Sequence, residues 1–358
     1  MLVFPAERLQ ALTQAIFERV GAPPDIAQRV AEALVESNLA GHDSHGVIRI
    51  PSYVEAVRRG HVIPDARPTV QKESAVLALV DGGWAFGQVS AAFATDLAVR
   101  KAREHGLAVV GIVRCTHIGR LGEYPTMAAA QNVASLIVAG GFGGPGATAA
   151  PYGGARPLFG TNPLAIGFPV KDRPPVIIDF ATTAVAAGKI QVALAKGEPL
   201  PPGAILDRHG RPTTDPRDYY EGGMLLPFGG HKGYGLAVAV ELLGRVLTGA
   251  DLFAEPGRGG PVYERSGVLI LAIATGAFQD VETVLAEAAR TVARIKAVPP
   301  AEGFAEVLVP GEPEFRTRAE RLRTGLPVPE TTWHAIVQTA QSLGLDVSLF
   351  GLPATVGG

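Results

Sequence analysis

The sequence predicts an α/β (α+β) protein, and three observations support that class. The first third of the chain has helical apolar spacing. From about residue 76, short β-branched runs alternate with helical segments. The one glycine-rich motif that could open a dinucleotide-binding βαβ unit lacks the helix such a unit needs.

The elements follow in order. Ala11, Leu12, Ala15, Ile16 and Val20 fall at helical spacing within residues 6–20. Asp25 reads as an N-cap for Ile26–Ala40, with Gln28 at the capping-box position and Gly41 as the stop. A further helix is predicted over Ser52–Arg59, ended by Gly60. Val76–Val80 is a strand running into the turn Asp81-Gly82-Gly83. Gln88–His105 is a helix with Gly106 at its C-cap. Leu107–Val113 is β-branched and apolar, as a buried strand should be. Glu123–Gln131 reads as a helix and Val133–Ala139 as a strand. Residues 140–175, rich in Gly and Pro, read as loops with short strands, followed by a buried strand over Val176–Asp179. Lys232–Leu247 is a helix, Val268–Ala274 a strand, Val281–Ile295 a helix, and Glu330–Leu343 the last helix.

Gly141-Phe142-Gly143-Gly144-Pro145-Gly146 matches G-x-G-x-x-G after an apolar strand. A Rossmann site needs that loop to open a helix and an acid about 20 positions later. Pro151 and Gly153-Gly154 stop any helix here, and no Asp or Glu follows until Asp172. The motif therefore reads as a turn cluster that can still line a ligand site.

Composition excludes several functions. At 358 residues and 47% hydrophobic, with mean hydropathy +0.21, the chain can build two domains with large cores. A net charge of -2 and a pI near 6.5 give no electrostatic footprint for nucleic acid or an anionic membrane. The single cysteine, Cys115, rules out a disulfide framework and fits a reducing, cytoplasmic setting. Glu7 and Arg8 break any secretory-signal pattern. No run approaches the roughly 20 apolar residues of a membrane span. Sparse Asn and Cys with an Arg-over-Lys bias suggest a heat-adapted source.

Chemistry concentrates in a few clusters. In Asp43-Ser44-His45-Gly46-Val47-Ile48-Arg49-Ile50-Pro51-Ser52-Tyr53, His45, Arg49 and Tyr53 are spaced by four and would share a helix face. Pro51 requires any such helix to kink or restart near it. Arg49 could grip a carboxylate in two-pronged fashion, and His45 could exchange a proton near neutral pH. The same residues would serve equally as a solvated helix edge. Arg114-Cys115-Thr116-His117-Ile118-Gly119 follows a strand, where side chains face the ligand crevice of α/β folds. That makes His117 a candidate proton carrier, or a cap of the next helix. Cys115 reads as a small buried residue. Gly160-Thr161-Asn162 is a polar turn. Asp179-Phe180-Ala181 places a carboxylate at a strand end, where it could orient an imidazole or bind a ribose. In Gly229-Gly230-His231-Lys232-Gly233, Lys232 opens a helix whose N-terminal amides attract phosphate. His42, Asp43 and His45 could be read as metal ligands, but no H-E-x-x-H partner motif exists, and no metal is expected.

Together these stretches resemble the type-2 malate/L-lactate dehydrogenase family, which also holds ureidoglycolate, sulfolactate and diketogulonate enzymes and a cyclic-imine reductase. The matches are Asp43–Arg49 with Tyr53, Thr116–Gly119 with Gly122 and Tyr124, Gly160–Ala165, Asp179–Lys189, Gly229–Leu236 and Pro310–Glu314, in order along nearly the whole chain. The resemblance implies a non-Rossmann fold. A mixed, largely antiparallel sheet domain (residues 76–295) would join a helical domain formed by both termini (1–75 with 296–358). It also implies a homodimer and NAD or NADP as cofactor. His117 would be the acid–base residue, with His45 the other candidate and Asp179 beside the chemistry. Ser44, Arg49 and Tyr53 would hold the substrate. Gly160, Thr161 and Asn162, Asp179, Phe180 and Ala181, His231, Lys232 and Gly233, and Gly311 and Glu312 would approach the cofactor. Two departures from the family pattern, Gly140–Gly144 and Ala274-Thr275-Gly276, leave the choice between NAD and NADP open.

The activity implied is hydride transfer between nicotinamide and C2 of a small 2-hydroxy or 2-oxo acid of the malate or lactate type. Arg49 would clamp the carboxylate and His117 would move the hydroxyl proton. Reduction of a cyclic imine such as piperideine- or pyrroline-2-carboxylate is the alternative on the same scaffold. A non-enzymatic small-acid binding protein is the alternative from another class.

Overall fold

The computed structural model describes residues 1–141 and 146–353. Strand β1 (Leu2–Phe4) leads into helices α1 (Ala6–Arg19) and α2 (Pro24–Leu39). Two 3-10 turns, Asp43–His45 and Val47–Arg49, run into α3 (Ile50–Arg58). Then come β2 (Thr69–Glu73), β3 (Leu77–Asp81), α4 (Gly87–His105), β4 (Leu107–Val113), α5 (Glu123–Ala129), β5 (Val133–Gly140), β6 (Leu164–Phe168) and β7 (Val176–Phe180). A small unit follows: α6 (Ala187–Lys196), β8 (Ile205–Leu206), β9 (Pro212–Thr213), α7 (Pro216–Tyr220) and β10 (Met224–Leu225). The chain continues through α8 (His231–Glu241), α9 (Gly260–Tyr263), β11 (Gly267–Ala274), α10 (Val281–Lys296), α11 (Glu312–Thr324), β12 (Leu326–Val328) and α12 (Glu330–Ser342).

The central sheet has the order β2-β3-β4-β11-β5-β6-β7. Only β3 and β4 run parallel; the other neighbours are antiparallel. A parallel pair needs a crossover, and α4 supplies it. This mixed, largely antiparallel order is not a doubly wound Rossmann sheet. Within the G-x-G-x-x-G stretch, residues 142–145 lie outside the described residues. The described chain from 146 to 163 holds no α-helix, so no βαβ unit starts there.

Each layer has its own core. The helical core joins both ends of the chain: Leu12, Ile16, Phe17, Ile26, Val30 and Leu34 pack with Trp333, Ile336 and Val337, and β1 pairs with β12. Trp333 is fully buried, 4.4 Å from the Phe4 ring between centroids. Burying such side chains stabilises the fold by about 1.5–3 kcal/mol each. A second core lies between the sheet and helices α4 and α5, including Val110, Ile112, Ile137, Val268 and Ile270.

The 43–53 segment does not form the one helix face that its four-residue spacing suggests, while the helix does restart at Ile50, beside Pro51. Gly46 is extended (φ -90°, ψ -151°), so His45 and Arg49 lie on separate turns and only Tyr53 lies on α3. Asn38, near the end of α2, fixes that path. Its Nδ2 donates to Asp43 Oδ1 (2.7 Å), and its Oδ1 accepts the Val47 N–H (2.8 Å). Arg321 of α11 donates to the same aspartate (2.6 Å). A Cβ on Gly46 would collide with the Asn38 amide. The expected N-cap also differs. Helix α2 starts at Pro24 without a side-chain cap, because Asp25 is held by Arg67 and Gln28 donates to Glu32. Strand β2 and helices α6 and α11 were not expected from the sequence. Helix α8 begins at His231 rather than Lys232 and gives way to a π-turn over Leu242–Val246.

Asn38→Ala leaves the buried Val47 N–H without its acceptor. It is expected to lower unfolding free energy by about 1–3 kcal/mol in urea titration. Wild-type stability would show that the two turns are held by other contacts.

Candidate active site

The sheet delivers His117 and the helical layer delivers its partners. After β4 the chain turns through Arg114 in the left-handed region (φ 48°), where Asp81 grips the guanidinium. Thr116 Oγ1 donates to the Ala85 carbonyl (2.8 Å), and Ser266 Oγ donates to the Cys115 carbonyl (2.7 Å). Gly87 lets this segment cross the start of α4, since a Cβ there would strike the carbonyls of Thr116 and His117.

His117 Nδ1 then lies 2.6 Å from Tyr53 Oη, which also accepts from Gln88 Nε2 (2.7 Å). The His45 ring stacks on His117 with centroids 5.5 Å apart and planes at 22°. Tyr263 approaches His117 at 5.8 Å. Ser44 Oγ lies 3.0 Å from His45 Nδ1, and Arg49 Nε donates to the Ser44 carbonyl (2.6 Å). Each imidazole thus has Nδ1 occupied by a hydroxyl, which leaves Nε2 for a ligand.

The electrostatics match that geometry. Burial, then the charges of Arg49 and His45, push His117 well below the usual histidine range. Burial, then Arg49, His42 and Arg120, bring His45 down to about 3. Burial raises Tyr53 and moves Tyr263 up to about 12. Near neutral pH the site therefore holds two uncharged imidazoles and two uncharged phenols. The guanidinium of Arg49 has no carboxylate partner among the described residues. Such a site is short of one anion.

The remaining candidates divide. Asp179 accepts the Gly122 N–H (2.7 Å) at the start of α5 and is not hydrogen-bonded to either imidazole. Burial raises its pKa against the pull of that N–H, His42 and Arg120. Gly160–Asn162 and Phe180 converge on α8 and the segment just before it, and His231–Gly233 open that helix. The Thr161 carbonyl accepts from Thr182 N and Oγ1, and the Phe180 ring meets Phe228 edge-on at 5.4 Å. Asn162 Nδ2 reaches the Ala237 carbonyl (3.0 Å) and Glu241 (3.1 Å) on α8. Gly311 packs against Ile177 of β7, while the Glu312 carboxylate is taken by Lys296, Arg316 and the Val309 N–H. A surface cleft lined by Gln10, Arg29, Glu32 and Glu123 contains none of these residues.

Gln88 and Tyr263 are new to the site. Gln88 carried a signal, a polar side chain inside an otherwise buried stretch. Tyr263 carried none.

The malate/L-lactate dehydrogenase family matches residues 4–337. The chain belongs to this family. It is 38% identical to hydroxycarboxylate dehydrogenase B of Escherichia coli over 96% of this chain and 94% of that protein. It is 36% identical to a Δ1-pyrroline-2-carboxylate/Δ1-piperideine-2-carboxylate reductase of Pseudomonas putida, over 91% of this chain and 93% of that protein. The solved sulfolactate dehydrogenase of Methanocaldococcus jannaschii superposes with a TM-score of 0.89 at 31% identity, covering 98% of this chain and all (100%) of that one. The homologues named are hydroxy-acid dehydrogenases and reductases.

Stability should carry the signature of the two neutral imidazoles. In the unfolded chain they titrate near the ordinary 6.5, and in the fold well below it. Below pH 6.5 the unfolded state therefore binds more protons, and stability falls as pH falls. Each histidine contributes a slope of up to about 1.4 kcal/mol per pH unit. Urea unfolding between pH 7 and 5 should show this slope, and His45→Gln with His117→Gln should flatten it. An unchanged slope in the double variant would mean the rings are not buried neutral.

Proposed function

We propose that the protein interconverts a small 2-oxo acid and the corresponding 2-hydroxy acid, with NAD or NADP as the hydride carrier. The observation that carries this is Arg49, a guanidinium without an acid partner, set beside the Tyr53–His117 hydrogen bond. Arg49 binds the substrate carboxylate through parallel hydrogen bonds. In oxidation, His117 donates its Nδ1–H to Tyr53 Oη and accepts the hydroxyl proton at Nε2 as the C2 hydride leaves for the nicotinamide. Burial and the charge of Arg49 keep the resulting imidazolium acidic, so the proton is returned readily in reduction. His45, steadied by Ser44, donates or accepts a hydrogen bond at the reacting oxygen or the carboxylate.

A bound nicotinamide nucleotide supplies the hydride acceptor or donor. The residues present fit it. Asn162 Oδ1 is buried without a partner, and nothing stands within 4 Å of where a Cβ on Gly229 would be. Lys232 is exposed one residue into α8, whose N-terminus favours anions. Gly160–Asn162, Phe180–Ala181 and His231–Gly233 would hold it, with Asp179, Gly311 and Glu312 at the β7 edge. The likeness to the P. putida reductase supports a second substrate, a cyclic imine carrying the same carboxylate on Arg49.

Kinetics of paired variants test the roles. His117→Ala should lower kcat for 2-oxo acid reduction by at least about 100-fold with little change in NAD(P)H affinity. Arg49→Lys should instead raise KM for the acid about 10- to 150-fold, the worth of a charge-assisted hydrogen bond. Near-wild-type kcat in the first, or equal small effects on an acid and its amide in the second, would remove that residue from the site.

The protein is also proposed to act as a homodimer. Leu242, Val246, Leu247 and Leu252 are exposed together after α8, Leu247 at 66% and Leu252 at 88%. An apolar stretch of this kind marks an interface. Sedimentation equilibrium should give twice 37.2 kDa, and Leu247→Glu should shift the mass toward the monomer. A wild-type monomer at micromolar concentration would refute the assembly.

A further inference from the structure

A second guanidinium near the site has no acid partner among the described residues. Arg120 follows His117 by three residues and is 8% exposed. Its Nε is enclosed with no hydrogen-bond partner, and no ion pair or side-chain hydrogen bond holds the group among the described residues. The half-buried or buried cations elsewhere are handled differently. Lys101 pairs with Glu73, Arg114 with Asp81, and Arg29 with Glu123. Leaving a buried charge unpaired is costly, so a ligand that pairs it would bind with a large gain.

Its surroundings say where that ligand sits. Arg120 Nη1 and Asp179 Oδ2 flank Gly122, at 2.8 and 3.0 Å from where a Cβ on that glycine would stand. The two nearby carboxylates are already engaged, Asp179 by the Gly122 N–H and Glu314 by His42 Nε2 (3.3 Å). Arg120 stands on the same loop as His117, three residues further on, and His117 stacks on His45. The charges of Arg49 and Arg120 both bear on His45.

We propose that Arg120 binds a second acidic group of the substrate, so that the preferred substrates are dianionic 2-oxo and 2-hydroxy acids. The 2-carboxylate lies on Arg49 and a distal carboxylate or sulfonate on Arg120. This rests on the oxidoreductase reading of the same site. A cofactor phosphate is the other anion that could be considered. Asp179 and Glu314 beside Arg120 disfavour a doubly charged phosphate more than a single distal charge, and the convergence at α8 lies elsewhere.

The test compares oxaloacetate with 2-oxosuccinamate, in which the distal carboxylate is replaced by a neutral amide of the same shape, and with pyruvate. Wild type should favour oxaloacetate over the amide by about 10- to 100-fold in kcat/KM. Arg120→Met should lose that factor for oxaloacetate while leaving the amide and pyruvate within about threefold, and Arg120→Lys should recover part of it. Arg120→Met should not lower Tm, since it removes an unpaired buried charge.

Equal wild-type rates on oxaloacetate and its amide would overturn the proposal. So would an unchanged ratio in Arg120→Met accompanied by weaker NAD(P)H binding, which marks a cofactor anchor, or by a lower Tm, which marks a structural cation. If no 2-oxo acid is reduced with either cofactor, the oxidoreductase reading fails separately. Calorimetry with L-malate and its 4-amide then decides. A malate preference abolished by Arg120→Met supports the distal anion site, and equal binding refutes it.

Discussion

Tyr53 Oη and His117 Nδ1, 2.6 Å apart, join two parts of the molecule that pack around different cores. Tyr53 belongs to the helical core, where Phe17 and Phe86 approach its ring at 6.3 Å. His117 stands on the loop after β4, whose neighbours Cys115 and Ile118 belong to the sheet core. Phe86 immediately precedes α4 and meets Phe17 edge-on at 5.2 Å, so one aromatic cluster locks the helical layer to the start of the sheet's crossover helix. Gln88, two residues further on, completes the chain of hydrogen bonds to Tyr53. The Tyr53–His117 geometry is therefore a product of how the two layers pack. A shift of either layer by an ångström would lengthen this bond before it disturbed either core.

Much of the architecture was legible because the elements that matter are long and periodic. Leu107–Val113 is a strand with the bounds the sequence indicates, and Gly106 does cap α4 with a positive φ of 87°. What stayed hidden depends on partners far away in sequence. The 43–53 run has perfect four-residue spacing. The backbone nevertheless breaks at Gly46, because Asn38 and Arg321 pull Asp43 and Val47 into turns. Tertiary hydrogen bonds override local periodicity there, yet still bring His45, Arg49 and Tyr53 around one point. Helix α11 is highly charged and has no fully buried residue, so it has no apolar stripe to detect. The mixed strand order itself came from family resemblance, since no periodicity encodes which strands become neighbours.

The candidate site was legible in residue type and less so in connection. His117, His45, Arg49 and Tyr53 assemble as one cluster, and Ser44 joins through its contact with His45. Asp179 sits at the strand end where the sequence puts it, but its carboxylate faces the Gly122 amide rather than an imidazole. A sequence shows that an acid ends a strand; it does not show which group 57 residues earlier will approach it. The position of Gln88 carried a signal but its role did not, because that role exists only once Tyr53 arrives from another layer.

Charge balance explains why this arrangement persists at a cost to stability. Elsewhere the fold sets acids on its partly buried cations, as it sets Asp43 on Arg321. Around His45 it does not. The Arg49 guanidinium is held by the Ser44 carbonyl and has no acid partner among the described residues, next to imidazoles that burial has already made neutral. A protein carboxylate on Arg49 would relieve the strain, but it would also let His117 hold a proton more tightly. On the function proposed, it would occupy the place of the substrate. Leaving the position open would then make the arriving acid the missing counter-ion. Its charge would raise the proton affinity of His117 only with substrate present, coupling binding and proton transfer through one electrostatic deficit.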